Sequence, residues 1–75
     1  MSRGFVTNLG DLFIGHDRGK YPYLIYKESK SIINGKRAYE YVGKSCTILD
    51  AESRVKELED DPCYTVRIMD FNQVA

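Results

Sequence analysis

The chain has 75 residues, of which 43% are hydrophobic and 29% charged, and its 11 basic and 11 acidic side chains give a formal net charge of zero. A chain of this length can form one domain with one hydrophobic core. Its composition excludes an intrinsically disordered chain. Apolar runs such as Tyr23 to Tyr26 are far shorter than the roughly 20 residues of a transmembrane helix, so we expect no membrane association.

The N-terminal third predicts short strands. Residues 5–7 and 12–14 are apolar or β-branched and are separated by polar and glycine positions. Residues 15–20 are a polar, glycine-containing loop. Residues 21–27 are rich in aromatic and β-branched side chains and predict a longer strand with a proline near its start, where a missing N–H is tolerated.

Asn34-Gly35 predicts a hairpin turn between residues 31–33 and 36–42, because both central positions of such a turn require positive φ. In the second of these strands Tyr39 and Tyr41 alternate with Glu40 and Val42. We therefore expect the two tyrosines to share one face, which we call the tyrosine ledge. We expect the strand to end at residues 43–44.

The C-terminal half predicts one helix between two strands. Residues 46–49 suggest a short strand, and Asp50 is a suitable N-cap for a helix over about 51–60. An apolar stripe within that helix would face a sheet. The proline at position 62 ends the helix, and residues 63–71 predict a strong strand.

The predicted fold is therefore α+β, with a small antiparallel sheet of about four to five strands and the helix packed on one face. The alternative is a small β-barrel with a helical insertion. Both arrangements place residues 1–75 in a single domain.

No residue pattern points to catalysis. His16 is the only histidine, and we expect it to be a loop residue without a chemical role. Cys46 and Cys63 lie 17 positions apart, which is not a metal-ligand spacing, and we expect them to be reduced and half-buried. A disulfide between them would require Cα atoms within about 7 Å. We expect no catalytic set, no metal and no cofactor. Since the chain begins without the apolar core of a secretory signal, we expect a cytoplasmic location.

Tyrosine and charge are the informative features. The chain has six tyrosines and no tryptophan, and tyrosine is enriched at interfaces. The charge is also uneven, because residues 1–45 hold eight basic and four acidic side chains, whereas residues 46–75 hold three basic and seven acidic ones. Such asymmetry is compatible with a binding face, although interleaved solvated charges would give the same count.

Our first hypothesis is a non-enzymatic protein-binding module, a small regulator or a phage-type inhibitor with the general character of anti-CRISPR proteins. Its contact residues would be the tyrosine ledge and the acidic end of the helix: Tyr39, Tyr41, Glu57, Glu59, Asp60 and Asp61. An exposed strand over 36–42 would also allow two copies to pair as a homodimer.

The alternative hypothesis is a nucleic-acid-binding module. Basic side chains interleaved with tyrosines on a sheet can hold single strands by stacking and phosphate contacts. The residues would be Arg18, Lys20, Lys36, Arg37 and Lys44. The neutral chain disfavours this function, because such domains are commonly basic.

Overall fold

The computed structural model describes residues 5–32, 34–58 and 62–72. Within these ranges the chain forms a 3-10 helix, three strands and one α-helix: Leu9–Phe13, β1 (Tyr23–Ser29), β2 (Tyr39–Ser45), α1 (Ile48–Leu58) and β3 (Tyr64–Asp70). The strands form an antiparallel sheet in the order β2-β1-β3. The predicted α+β class, with an antiparallel sheet and one helix, is confirmed for the described residues.

The described residues form three strands in an open sheet, rather than the four to five predicted or the alternative barrel. The segment 5–7 contributes a single bridge, in which the backbone groups of Val6 and Tyr39 bond to each other at 2.7 and 2.8 Å. The segment 12–14 lies at the end of the 3-10 helix and just beyond it. The side chain of Asn8 accepts a hydrogen bond from the Gly10 N–H and starts that helix.

The predicted turn is present, but it joins different strands. Asn34 and Gly35 have φ of 55° and 77°, as predicted. They lie in the loop between β1 and β2, and the described residues before them, Ser31 and Ile32, are not in a strand. Ser29 stabilises this loop, because its hydroxyl donates to the Ser31 carbonyl and accepts from the Ala38 N–H.

A β-bulge carries β2 past the glycine that was expected to end it. Ile25 pairs with Gly43 and Tyr26 pairs with Tyr41, so Val42 is an extra residue between two consecutive pairs. A bulge bends the strand locally without ending its pairing. The strand therefore continues to Ser45.

The helix begins earlier than predicted, and Thr47 caps it instead of Asp50. The Asp50 N–H donates to Thr47 Oγ1 at 3.2 Å. Asp50 lies inside the helix, where its carboxylate accepts from the Ser45 hydroxyl at 2.6 Å and pairs with Arg54 at 3.3 Å. The segment 46–49 is consequently not a strand. No helix among the described residues is long and apolar enough to cross a membrane.

The core between the helix and the sheet is small. It consists of Ile25, Ala51 and Val66, against which further apolar side chains pack: Tyr23, Val42, Val55 and Ile68. Alternation along β1 directs Leu24 to the opposite face of the sheet. Leu24 is nevertheless 0% exposed, so that face is also covered.

Residues 9–17, which we call the N-terminal layer, contribute to the cover on this second face. The 3-10 helix contacts β2, and the Phe13 ring packs edge-on against Phe71 with centroids 5.1 Å apart. The sheet therefore lies between α1 and the N-terminal layer. This arrangement brings residues 12–17 beside β2 and creates the surface described next.

Candidate interaction surface

The five basic residues predicted to bind nucleic acid lie at two ends of the sheet. Arg18 and Lys20 precede β1, and Lys44 is near the end of β2, opposite Leu24. Lys36 and Arg37 lie in the loop beyond the other end of β1. Seven strand residues span roughly 20 Å, so the five cations do not form one continuous strip.

Arg37 has a structural position. Its Nη1 donates to the carbonyls of Ser29 and Lys30 at 2.9 and 3.3 Å, and its Nε lies 3.8 Å from Glu28 Oε2. Glu28 also accepts from Arg67 Nε at 2.5 Å. The guanidinium of Arg37 therefore holds the loop to β1 and is poorly placed to bind phosphate. Lys36 is exposed and lines two cavities that this loop forms with residues 5–9.

The other three cations rest on aromatic rings, and we call Arg18, Lys20 and Lys44 the basic cluster. The Nζ atoms of Lys44 and Lys20 lie 4.6 and 5.7 Å from the centroid of the Tyr21 ring. The Cζ of Arg18 lies 4.9 Å from the centroid of Phe71. Contacts at these distances are cation–π interactions.

His16 fixes the loop that carries these rings. Its Nε2 donates to the Tyr21 carbonyl at 2.7 Å, and its ring centroid lies 5.2 Å from that of Phe71. The Asp17 carboxylate accepts from the backbone N–H groups of Gly19 and Lys20 at 3.1 and 3.0 Å. His16 lies in a loop, as expected, but it is half-buried and holds the loop in place through these contacts.

An apolar patch adjoins the basic cluster. Leu12, Ile14 and Tyr41, which we call the Ile14–Tyr41 patch, line a shallow cavity of about 270 Å³ together with Lys44 and residues 15–17. The side chain of Ile14 is 79% exposed and that of Tyr41 is 46% exposed. Ile14 follows the 3-10 helix and precedes Gly15, whose φ of 80° turns the chain. The side chain is therefore left outside the core.

The tyrosine ledge contributes one exposed ring to this surface. Tyr41 pairs with Tyr26 and Tyr39 with Glu28, so both tyrosines lie on the same face. The Tyr39 ring packs edge-on against Tyr26 with centroids 6.1 Å apart. The backbone of Tyr39 bonds to Val6, so part of the edge expected to form a homodimer is already occupied. Tyr41 is therefore the member available for contact.

Of the acidic residues predicted to bind a partner, Glu57 is exposed near the end of α1. Glu59, Asp60 and Asp61 lie outside the described residues. The sequence does not indicate Leu12 and Ile14 as surface residues, because an apolar run of three is typical of a short strand. The signal that could have indicated them is the glycine directly after that run.

The two cysteines are exposed, not half-buried. Cys46 directly follows Ser45, which pairs with the first residue of β1. Cys63 directly precedes Tyr64, which pairs with the last residue of β1. A separation of roughly 20 Å along β1 excludes a disulfide between them. Nowhere in the described ranges do three or more His, Cys, Asp or Glu residues group in a way that could hold a metal ion.

No protein-family model, curated protein or solved structure matches this chain.

Proposed function

We propose that this chain is a non-enzymatic protein-binding module and that the Ile14–Tyr41 patch is its contact surface. The observation that carries the proposal is the exposure of Ile14 beside Tyr41 on one cavity. Burying apolar surface against a partner gives about 25 cal/mol per Å². Tyrosine and aliphatic side chains at the centre of an interface commonly supply much of its affinity.

The rigidity of the surroundings supports the same proposal. Tyr41 lies in a hydrogen-bonded strand, and Ile14 lies between the capped 3-10 helix and the loop that His16 ties down. A surface that is already ordered loses little conformational entropy when a partner binds. The role we propose is that of a small cytoplasmic regulator or a phage-type inhibitor, which acts by occupying a surface of its target.

Nucleic-acid binding is the second candidate, and the basic cluster is the observation that favours it. Lys44 and Lys20 beside Tyr21, together with Arg18 on Phe71, combine cations with aromatic rings. The neutral net charge and the structural position of Arg37 disfavour it. It therefore remains the alternative.

Affinity capture from a lysate of the organism that carries this chain tests the proposal. The parent chain is compared with the double variant Ile14→Ser, Tyr41→Ser, each sample with and without nuclease. Ile32→Ser is the matched control, because Ile32 is 59% exposed but lies in the loop at the other end of β1.

We expect a stoichiometric protein that survives nuclease, is retained by the control and is lost with the double variant. Capture that is unaffected by the double variant would contradict the proposed surface. Recovery of nucleic acid alone, removed by nuclease, would contradict the proposed function and favour the alternative.

A further inference from the structure

We infer that the partner presents an acidic segment with an apolar side chain at its centre. This inference rests on the proposed function and specifies the chemistry of the partner. The apolar side chain would enter the cavity beside Ile14 and Tyr41. Carboxylates on either side of it would meet the basic cluster.

Lys44 makes the apolar and cationic surfaces continuous. It lines the same cavity as Leu12, Ile14 and Tyr41, and its Nζ lies 4.6 Å from the Tyr21 centroid. Lys20 shares that ring. A segment that places an apolar group in the cavity would therefore lie within reach of these lysines without rearrangement of the backbone.

Nearby acidic groups already have backbone partners. The Asp17 carboxylate accepts from two N–H groups of its own loop, and the Asp70 carboxylate accepts from the Asn72 N–H. These contacts hold the carboxylates to their own backbone rather than to the three cations. Both carboxylates keep their negative charge, and Asp17 also lines the cavity. The three cations of the basic cluster exceed these two carboxylates by one positive charge, and opposite charge on the partner gives both specificity and faster association.

The two rings beneath the basic cluster, Tyr21 and Phe71, are engaged within the fold, which leaves Tyr41 as the exposed ring of this surface and favours a protein segment over a nucleic acid. Tyr21 contacts two lysines, and Phe71 contacts Arg18, Phe13 and His16. Single-stranded nucleic acid is held largely by bases that stack on free aromatic faces. The cavity beside the cluster is instead lined by two aliphatic side chains, Leu12 and Ile14, together with Tyr41 and the polar residues His16, Asp17 and Lys44.

The test is a titration of the isotope-labelled chain, followed by the backbone amide NMR signals. The probe is a synthetic eight-residue peptide with Leu-Phe at its centre and three acidic residues on each side. The matched probe replaces the six acidic residues by glutamine, and a third probe is a twelve-nucleotide oligothymidine.

We expect the acidic peptide to shift the signals of Ile14, Tyr41 and Lys44, and the glutamine peptide to bind about ten-fold more weakly. Lys44→Gln should weaken the acidic peptide about two- to five-fold, the size expected for one exposed ion pair. Lys36→Gln is the control, because Lys36 is exposed at the distant loop, and it should leave the affinity unchanged.

Equal affinity for the acidic and glutamine peptides would overturn the inference, as would binding of the oligothymidine without the peptide. The absence of any shift with the acidic peptide up to about 2 mM would also overturn it, since that concentration detects affinities near 4 kcal/mol. The capture experiment tests the proposed function separately from this inference. A captured protein that requires Ile14 and Tyr41 but is indifferent to Lys44→Gln would retain the proposed function and refute only the acidic partner.

Discussion

Lys44 Nζ lies 4.6 Å from the centroid of the Tyr21 ring, and the same lysine side chain borders the cavity formed by Ile14 and Tyr41. Tyr21 precedes β1 and Lys44 belongs to β2, so the pairing of these two strands brings the residues together. A cation is thus held beside an exposed apolar surface by the sheet itself. This relationship underlies both the proposed function and the chemistry inferred for the partner.

Leu24→Ala tests whether the second face of the sheet is covered. Leu24 is fully buried on that face, so we expect a loss of about 2–5 kcal/mol in the free energy of unfolding. A domain of this size has a similar total stability, so the variant should be largely unfolded in a urea titration. Leu24→Val, a smaller truncation, should remain folded.

Leu49→Ala is the matched control, because Leu49 is 76% exposed on the helix. It should change the free energy of unfolding by less than about 0.5 kcal/mol. Equal stabilities of the Leu24→Ala and Leu49→Ala variants would show that the second face is not covered.

Thr47→Ala tests the assignment of the helix N-cap. Thr47 Oγ1 accepts from the Asp50 N–H, and loss of such a cap costs about 1 kcal/mol. Ser53→Ala, at an exposed position inside the same helix, should leave stability unchanged or slightly raised, because alanine has the higher helix propensity. Thermal unfolding followed by circular dichroism measures both. A Thr47→Ala variant as stable as Ser53→Ala would contradict the assignment.

Stability should fall in alkaline solution partly because of Tyr26. Burial, and then the charge of Glu28, raise the pKa of the Tyr26 phenol above its ordinary value of 10.0. In the unfolded chain this phenol ionises near pH 10, before the folded one does. The contribution of the Tyr26 phenol to the free energy of unfolding is therefore complete below pH 10. It is lost as the pH rises through the pKa of the phenol in the folded state.

Tyr26→Phe should accordingly flatten the alkaline decline in the free energy of unfolding, measured by urea titration between about pH 8 and 11. Tyr41→Phe is the control, because the Tyr41 ring is exposed on the surface, and it should follow the parent. An unchanged decline in Tyr26→Phe would contradict the role of this phenol.

Arg37→Ala should destabilise the domain, because Arg37 bonds two carbonyls of the loop and pairs with Glu28. We expect a loss of about 1 kcal/mol, since these contacts are partly exposed. Lys36→Ala is the matched control and should leave the free energy of unfolding unchanged. Equal stabilities of the two variants would show that Arg37 does not hold the loop and that its guanidinium is available to bind a ligand.

The sequence correctly predicts those elements in which the conformational preference of the residues agrees with their tertiary contacts. The aromatic and β-branched segments became β1 and β3, and Asn34-Gly35 adopted positive φ. Of the apolar stripe predicted on the helix, Ala51 and Val55 pack against the sheet, whereas Leu58 is 37% exposed. For the strands and the helix, propensity and burial favour the same conformation. The exposed Asn34-Gly35 turn follows from residue type alone.

The remaining elements depend on contacts distant in sequence. At the bulge, the neighbouring residues Ile25 and Tyr26 pair with Gly43 and Tyr41, which are two positions apart in β2. No local pattern in the sequence reveals this register. Thr47 and Asp50 are both acceptable caps by type, and the hydroxyl of Ser45 engages Asp50 instead. For the site, Tyr41 was predicted from its alternation along the strand. Ile14 was missed because its exposure follows from the turn at Gly15.

Site-specific photo-crosslinking tests the central claim, that the Ile14–Tyr41 patch contacts a protein, most directly. A photoreactive phenylalanine analogue replaces Tyr41 in one sample and Ile32 in another, and each chain is irradiated in the lysate after nuclease treatment. We predict a discrete protein adduct from position 41 and none from position 32. An adduct from position 32 alone, or no protein adduct from position 41, would contradict the claim.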